Sequence, residues 1–123
     1  MKRLLLALVL VSCSSNEKSN SLSPIDFESR LKSTPHAILI DVRTEKEVEE
    51  GTLPNAQNIT YDDSFADKLG KLPKDASIFV FCAKGKRSEK AAEIMRNKGF
   101  AKVYQLNGGL DAWKEAKMLL PKN

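Results

Sequence analysis

Cys82 is the residue best placed to do chemistry in this sequence, because of what precedes and follows it. The residues before it, 77–81, are mostly apolar and β-favouring and predict a buried strand. Ser88 could cap a helix that has Glu89 in its first turn. A tight cationic loop lies between the two, formed by Ala83, Lys84, Gly85, Lys86 and Arg87.

This order of strand, loop and helix suits a nucleophilic sulfur. Backbone N–H groups in such a loop and in the first helical turn have no helical acceptor, so they can point at an anion. They favour the thiolate at Cys82, as do the nearby charges of Lys84, Lys86 and Arg87. Gly85 can adopt the positive φ that a backbone needs to curl around a sulfur. The alternative is an inert cysteine buried at a strand end.

A second apolar run ends in charged residues that could share this site. Residues 37–40 predict a buried strand, and Asp41 and Arg43 follow at its end. These residues, like Cys82, are therefore expected at the carboxyl edge of the sheet, where ligand sites form in parallel α/β folds.

Helix signals separate the predicted strands. Ser23 and Pro24 suit the start of a helix, and Thr44 with Glu47 has the spacing of a capping box. Residues 102–105 predict a last strand, which a turn joins to a short helix. Because strands alternate with helices, the fold class is expected to be α/β, with a mainly parallel sheet covered on both faces.

The N-terminal segment predicts export and anchoring. Lys2 and Arg3 precede an apolar run that is too short to span a bilayer but suits a signal-peptide core. The run ends in a small residue before Cys13, which resembles a bacterial lipoprotein signal, in which the cysteine is lipidated. We expect a signal peptide at 1–12, a lipidated flexible tether at 13–23 and a folded domain at 24–120. The domain would be anchored at the cell envelope, facing the periplasm or the exterior, and in the outer membrane if the cell has two membranes.

Length and composition limit the class of protein. A chain of 123 residues with 41% hydrophobic and 29% charged residues fits one small globular domain. The net charge of +4 would fall to +2 on loss of Lys2 and Arg3, so nucleic-acid binding is not expected. His36, the only histidine, is expected to be a surface residue. No metal site or cofactor is predicted, and a disulfide between Cys13 and Cys82 is disfavoured by the expected lipidation.

Several motifs together resemble a single rhodanese-like domain between about Ser21 and Lys117. The resemblance implies a three-layer α/β/α fold around a mainly parallel sheet. The sequence departs from the family at Thr52, where His is common, and at Asn55, where Gly is common, which leaves the donor preference open. The motifs, which match in order and spacing, are Asp41-Val42-Arg43, Glu47, Gly51, Pro54, Ala56, Asn58-Ile59, the Cys82-to-Arg87 loop with Ser88, Gly108-Gly109 and Ala112-Trp113.

The resemblance also implies sulfurtransferase activity, in which a cysteine accepts a sulfane sulfur, holds it as a persulfide and passes it to an acceptor. By position Cys82 is the nucleophile and residues 83–87 are the substrate-binding cradle. Asp41, Arg43 and Ser88 are expected to brace the loop. Basic loops in this family go with thiosulfate, so we expect a small anionic donor and a thiol or cyanide as acceptor.

Other functions remain open at this point. A tethered sulfur carrier or redox-sensing module would need the same thiolate without turnover, and a structural lipoprotein would need none. Phosphatases and arsenate reductases of related fold use a loop one residue longer, whereas only four residues separate Cys82 from Arg87. We expect a monomer whose membrane contact is the lipid on Cys13.

Overall fold

The computed structural model describes residues 20–119, so the predicted signal peptide, Cys13 and most of the predicted tether lie outside the described residues. One five-stranded sheet has the strand order β1-β5-β4-β2-β3, and every neighbouring pair is parallel. The predicted α/β fold with a mainly parallel sheet is confirmed. The strands are β1 (Ser21–Leu22), β2 (Ile38–Asp41), β3 (Gln57–Asn58), β4 (Ser77–Phe81) and β5 (Lys102–Leu106).

The helices of the described region begin largely where the sequence predicts. Ser23 caps the first by accepting the N–H of Asp26 over 3.2 Å, and the capping box of Thr44 and Glu47 opens the second. No helix in this region is long and apolar enough to cross a bilayer. The α-helices are α1 (Pro24–Ser33), α2 (Glu45–Glu49), α3 (Lys86–Asn97) and α4 (Gly109–Leu119), and a 3₁₀ helix spans Ala66–Lys71.

Alternation along β4 decides which way the sulfur points. Ile78 and Val80 belong to the core under α3 and the 3₁₀ helix, whereas Phe79 and Phe81 belong to the core under α1 and α4. Because successive side chains of a strand face opposite sides, the next residue, Cys82, falls on the α3 side. It is part of that core and only 1% exposed.

The sheet includes two residues that the sequence analysis assigned to the tether. Ser21 and Leu22 form β1 and pair with the carboxyl end of β5. A strand of two residues is too short to show a periodic pattern, so the sequence offers no signal for it.

The start of α3 also differs from the prediction. The helix begins at Lys86, and Gly85, with φ of 105°, is its N-cap. This positive φ turns the chain from the loop directly into the helix. Ser88 is fully buried inside the first turn and does not cap it, which corrects the predicted start at Ser88.

Candidate active site

Cys82 Sγ lies inside the curl of its own loop and accepts two backbone N–H groups. Gly85 donates over 3.1 Å and Ser88 over 3.3 Å. Ser88 Oγ is 3.5 Å from the sulfur and donates to the Gly85 carbonyl over 3.2 Å. Ser88 is therefore in direct contact with the loop that it was expected to brace. N–H groups at the start of a helix favour negative charge, so this arrangement suits a thiolate.

The first turn of α4 supports the same loop through its backbone. Leu110 N–H donates to the Cys82 carbonyl over 2.8 Å, and Asp111 N–H donates to the Ala83 carbonyl over 3.0 Å. A Cβ on Gly109 would lie 2.7 Å from the Cys82 carbonyl oxygen and still closer to Ala83. Gly109 also has φ of 67°, which glycine adopts without strain. This glycine therefore allows α4 to approach the loop closely enough to bind it.

Arg87, the last residue of the predicted cradle, forms a two-point ion pair with α2. Its Nη1 and Nη2 donate to Glu47 Oε1 and Oε2 over 2.8 and 3.1 Å. Glu47 also accepts the Thr44 N–H over 2.9 Å. The hydrogen bond from Arg87, followed by that from Thr44, lowers the pKa of Glu47 to about 2. The hydrogen bond to Glu47 raises the pKa of Arg87. The pair ties α2 to the start of α3.

A second loop cation, Lys84, is also paired. Its Nζ is 2.8 Å from Asp111 Oδ2, and both side chains are largely exposed. The hydrogen bond between them raises the pKa of Lys84 and lowers the pKa of Asp111. Lys86 is exposed in the first turn of α3. Because Lys84 and Arg87 each face a carboxylate, the positive field of the loop is weaker than its residue types alone suggest.

Asp41 and Arg43 form a buried ion pair that holds a different segment. Arg43 Nη2 is 2.8 Å from Asp41 Oδ2 and donates to the Gly51 carbonyl over 2.7 Å. Thr52 Oγ1 donates to Asp41 Oδ2 over 2.7 Å. Among the described residues, neither side chain makes a hydrogen bond to the Cys82 loop, so their bracing of that loop stays a prediction. Alternation along β2 sends Asp41 toward the α1 and α4 side, whereas Cys82 faces α3.

Two surface clefts flank the loop without exposing the sulfur. One of about 620 Å³ is lined by Lys84 and Lys86 among others, and one of about 420 Å³ by Glu47 and Trp113 among others. Cys82 lines neither cleft and is buried. Among residues 20–119, no cluster of His, Cys, Asp and Glu side chains could hold a metal ion.

Comparison with known proteins decides the family. A family model described as a rhodanese-like domain matches residues 23–116. This chain belongs to the rhodanese-like family. The rhodanese-like domain is 32% identical over 95 residues to a sulfurtransferase of Allochromatium vinosum, an alignment that covers 75% of this chain and 88% of that protein. An adenylyltransferase and sulfurtransferase of Candida albicans is 37% identical over 101 residues, covering 76% of this chain and 23% of that larger protein.

Solved structures agree with this assignment. A rhodanese-related protein from Thermoplasma volcanium superposes with a TM-score of 0.70 at 28% identity, covering 79% of this chain and 92% of that one. The human single-domain sulfurtransferase superposes with a TM-score of 0.66 at 27% identity, covering 78% of this chain and 96% of that one. The relatives support a rhodanese-type sulfurtransferase.

Several residues that contact the loop or its cations were not assigned to the site by the sequence analysis, among them Glu47, Gly109, Leu110 and Asp111. Glu47 and Gly109 belonged to family motifs, but their spacing gave no sign that they hold Arg87 and the Cys82 carbonyl region. Asp111 lies 27 residues from Lys84 in the chain and had no signal at all. Each contact depends on tertiary structure, which brings α2 and α4 to the carboxyl edge of β4.

Proposed function

We propose that this rhodanese-like domain is an enzyme of the thiosulfate sulfurtransferase type, with Cys82 as its nucleophile. The observation that carries the proposal is the pair of backbone N–H groups, from Gly85 and Ser88, on Cys82 Sγ at 3.1 and 3.3 Å. These donors favour a thiolate before the reaction and an anionic persulfide after transfer. The family membership supplies the class of chemistry for this geometry.

The proposed reaction has two displacement steps. The Cys82 thiolate attacks the outer sulfur of thiosulfate and forms a new S–S bond. The bond from that sulfur to the sulfonate sulfur breaks, and sulfite leaves with the electron pair. Cyanide or a thiolate then attacks the outer sulfur of the persulfide and leaves as thiocyanate or as a new persulfide. The Cys82 thiolate is restored, and no external oxidant or reductant is needed.

The loop residues have distinct proposed roles. The N–H groups of Gly85 and Ser88 hold the anion, and the N–H groups of Lys86 and Arg87 lie in the same first turn of α3, where no helical acceptor is available. The side chains of Lys84 and Lys86 favour a small anionic donor over a neutral one. Ala83 contributes its carbonyl, through which α4 positions the loop.

Replacing Cys82 by Ser tests the proposal. Wild-type protein treated with thiosulfate is expected to gain about 32 Da, one sulfur atom, on the peptide that contains Cys82, and the Ser variant is expected to gain nothing. Repeated turnover of thiosulfate with cyanide by the wild type separates an enzyme from a sulfur carrier or redox sensor. A Ser variant that still transfers sulfur would refute the assignment of Cys82.

We further propose that the domain acts at the cell envelope, held by a lipid on Cys13. The proposal is supported by the basic start, the short apolar run and the small residue before Cys13. We propose that it acts there as a monomer.

A further inference from the structure

We propose that Asp111 sets the preference of the active loop for anionic donors, by holding Lys84 in an ion pair for which an incoming anion must compete. The inference rests on the proposed function, because it concerns how a donor reaches Cys82. Asp111 is a positioning residue in this account, since it acts through Lys84 and not on the reacting sulfur.

The contacts of Asp111 link it directly to the loop. Its backbone N–H donates to the Ala83 carbonyl over 3.0 Å, and its carboxylate is 2.8 Å from Lys84 Nζ. One residue of α4 therefore holds two consecutive residues of the loop, one through backbone and one through side chain. The backbone contact holds the backbone of Asp111 next to the loop residue that precedes Lys84.

The Lys84–Asp111 pair is the one that an anion can open. The side chains of Lys84 and Asp111 are 78% and 56% exposed and share a single hydrogen bond. Arg87 and Glu47, by contrast, are 35% and 33% exposed and are joined by two hydrogen bonds. An exposed single-contact pair is weakly coupled and readily exchanged, whereas a two-point guanidinium–carboxylate pair is held more firmly.

The charge of a donor determines whether Asp111 affects its reaction with Cys82. The raised pKa of Lys84 and the lowered pKa of Asp111 keep both groups charged around neutral pH. A dianionic donor must displace the Asp111 carboxylate before it can pair with Lys84. A neutral reagent does not compete for Lys84. Asp111 therefore reduces the advantage that a basic loop gives to thiosulfate.

Replacing Asp111 by Asn removes the charge and keeps a side chain of the same size. The kcat/KM for thiosulfate is expected to rise about two- to five-fold at low ionic strength, the range that exposed ion pairs correspond to, chiefly through a lower KM. In about 1 M salt, where the screening length is roughly 3 Å, the gain is expected to disappear.

Two matched variants separate this effect from net charge and from structure. Glu28→Gln removes one negative charge from a partly exposed ion-pair cluster with Lys32 and Lys117, and is expected to leave the KM for thiosulfate unchanged. In a Lys84→Ala background, Asp111→Asn is expected to give no further gain, because the cation it would release is absent. A gain that persists in that background would overturn the proposal.

Alkylation of Cys82 tests the inference without sulfur transfer, so its outcome is independent of the proposed enzyme activity. The rate at the Cys82 peptide is measured with iodoacetate, which is anionic, and with iodoacetamide, which is neutral. Asp111→Asn is expected to speed the iodoacetate reaction two- to five-fold and to leave the iodoacetamide rate unchanged. The inference about Asp111 would be overturned by equal rate changes with both reagents or by no change with either. It would also be overturned if wild-type Cys82 reacted with neither reagent. Absence of thiosulfate turnover together with the expected alkylation result would refute only the proposed function.

Discussion

At the scale of single residues, the charge of the loop depends on the partners of its cations. The sequence places Lys84 and Arg87 in the loop and first helical turn that follow Cys82, and the structure has both residues there. Their carboxylate partners, Asp111 and Glu47, come from distant parts of the chain. Residue type and local spacing could therefore predict the sign of the loop charge, but the degree of its neutralisation required the tertiary contacts.

Glu47 offers a test at this scale, because one carboxylate serves both the α2 capping box and Arg87. Replacing it by Gln is expected to destabilise the protein by about 1 kcal/mol at neutral pH, since the pair is a third exposed and screened by solvent. The pKa of Glu47 is lowered from 4.5 to about 2 on folding. The stability that ionised Glu47 contributes to the fold is therefore fully present above pH 4.5 and is lost as the pH falls toward 2.

Urea unfolding of wild type and Glu47→Gln across this pH range measures the difference in the free energy of unfolding. The gap is expected to be constant above about pH 5 and to close in acid. A gap that stays constant down to pH 2 or widens in acid would contradict the role of the charged form. Asp67→Asn, which removes an exposed carboxylate from the 3₁₀ helix, provides the matched control.

At the scale of elements, the junction between β4 and α3 was predicted in outline but not in detail. β4 spans the predicted residues Ser77–Phe81 because its apolar, β-favouring pattern is strong. Ser88 is a favourable N-cap residue type, and on local preference alone it marks the start of α3. The helix instead starts earlier, at Lys86, and Ser88 is used to hold Cys82. The tertiary contacts of Cys82 Sγ therefore outweigh the local preference of Ser88 for the N-cap position.

The contact between α4 and the loop gives an element-scale prediction. Gly109→Ala places a methyl group against the carbonyls of Cys82 and Ala83 at a positive φ, so α4 and the loop must separate. The strain of the backbone alone is expected to cost roughly 1–3 kcal/mol. Loss of the supporting N–H groups is expected to lower thiosulfate turnover at least ten-fold, because positioning of the nucleophile is lost.

Gly70→Ala is the matched control for this glycine. A Cβ at Gly70 meets no atom within 4 Å, and the residue is exposed in the 3₁₀ helix. The free energy of unfolding of Gly70→Ala is expected to stay within about 0.5 kcal/mol of wild type, and its thiosulfate turnover is expected to be unchanged. Urea unfolding and the cyanide assay compare the two variants. If Gly109→Ala matched Gly70→Ala in both measurements, α4 would not position the loop.

At the scale of the whole molecule, alternating strand and helix signals were sufficient to predict the fold. The long apolar strands and the capped helices each carry a local pattern, and a parallel sheet follows from their order. β1 was not predicted, because Ser21 and Leu22 carry no strand pattern of their own and become a strand by pairing with β5. The pairing draws the start of the domain into the sheet, close to the Cys82 edge.

The proposed lipid anchor gives a prediction for the intact protein. In cells, Cys13→Ser is expected to move the protein from the membrane fraction to the soluble fraction, because the lipidated residue is gone. Fractionation and immunoblotting measure the distribution, and Cys82→Ser, which keeps the signal, is expected to remain with the membrane. A Cys13→Ser protein that still sediments with membranes would contradict lipidation at this residue.

The burial of Cys82, at 1% exposure, limits which reagents can reach its sulfur. We expect a small inorganic ion, or a thiol carried on a long side chain, to react with Cys82 faster than a bulky reductant. A flat protein surface cannot approach a buried side chain, so we expect any protein that exchanges sulfur with this domain to present its cysteine on a protruding segment.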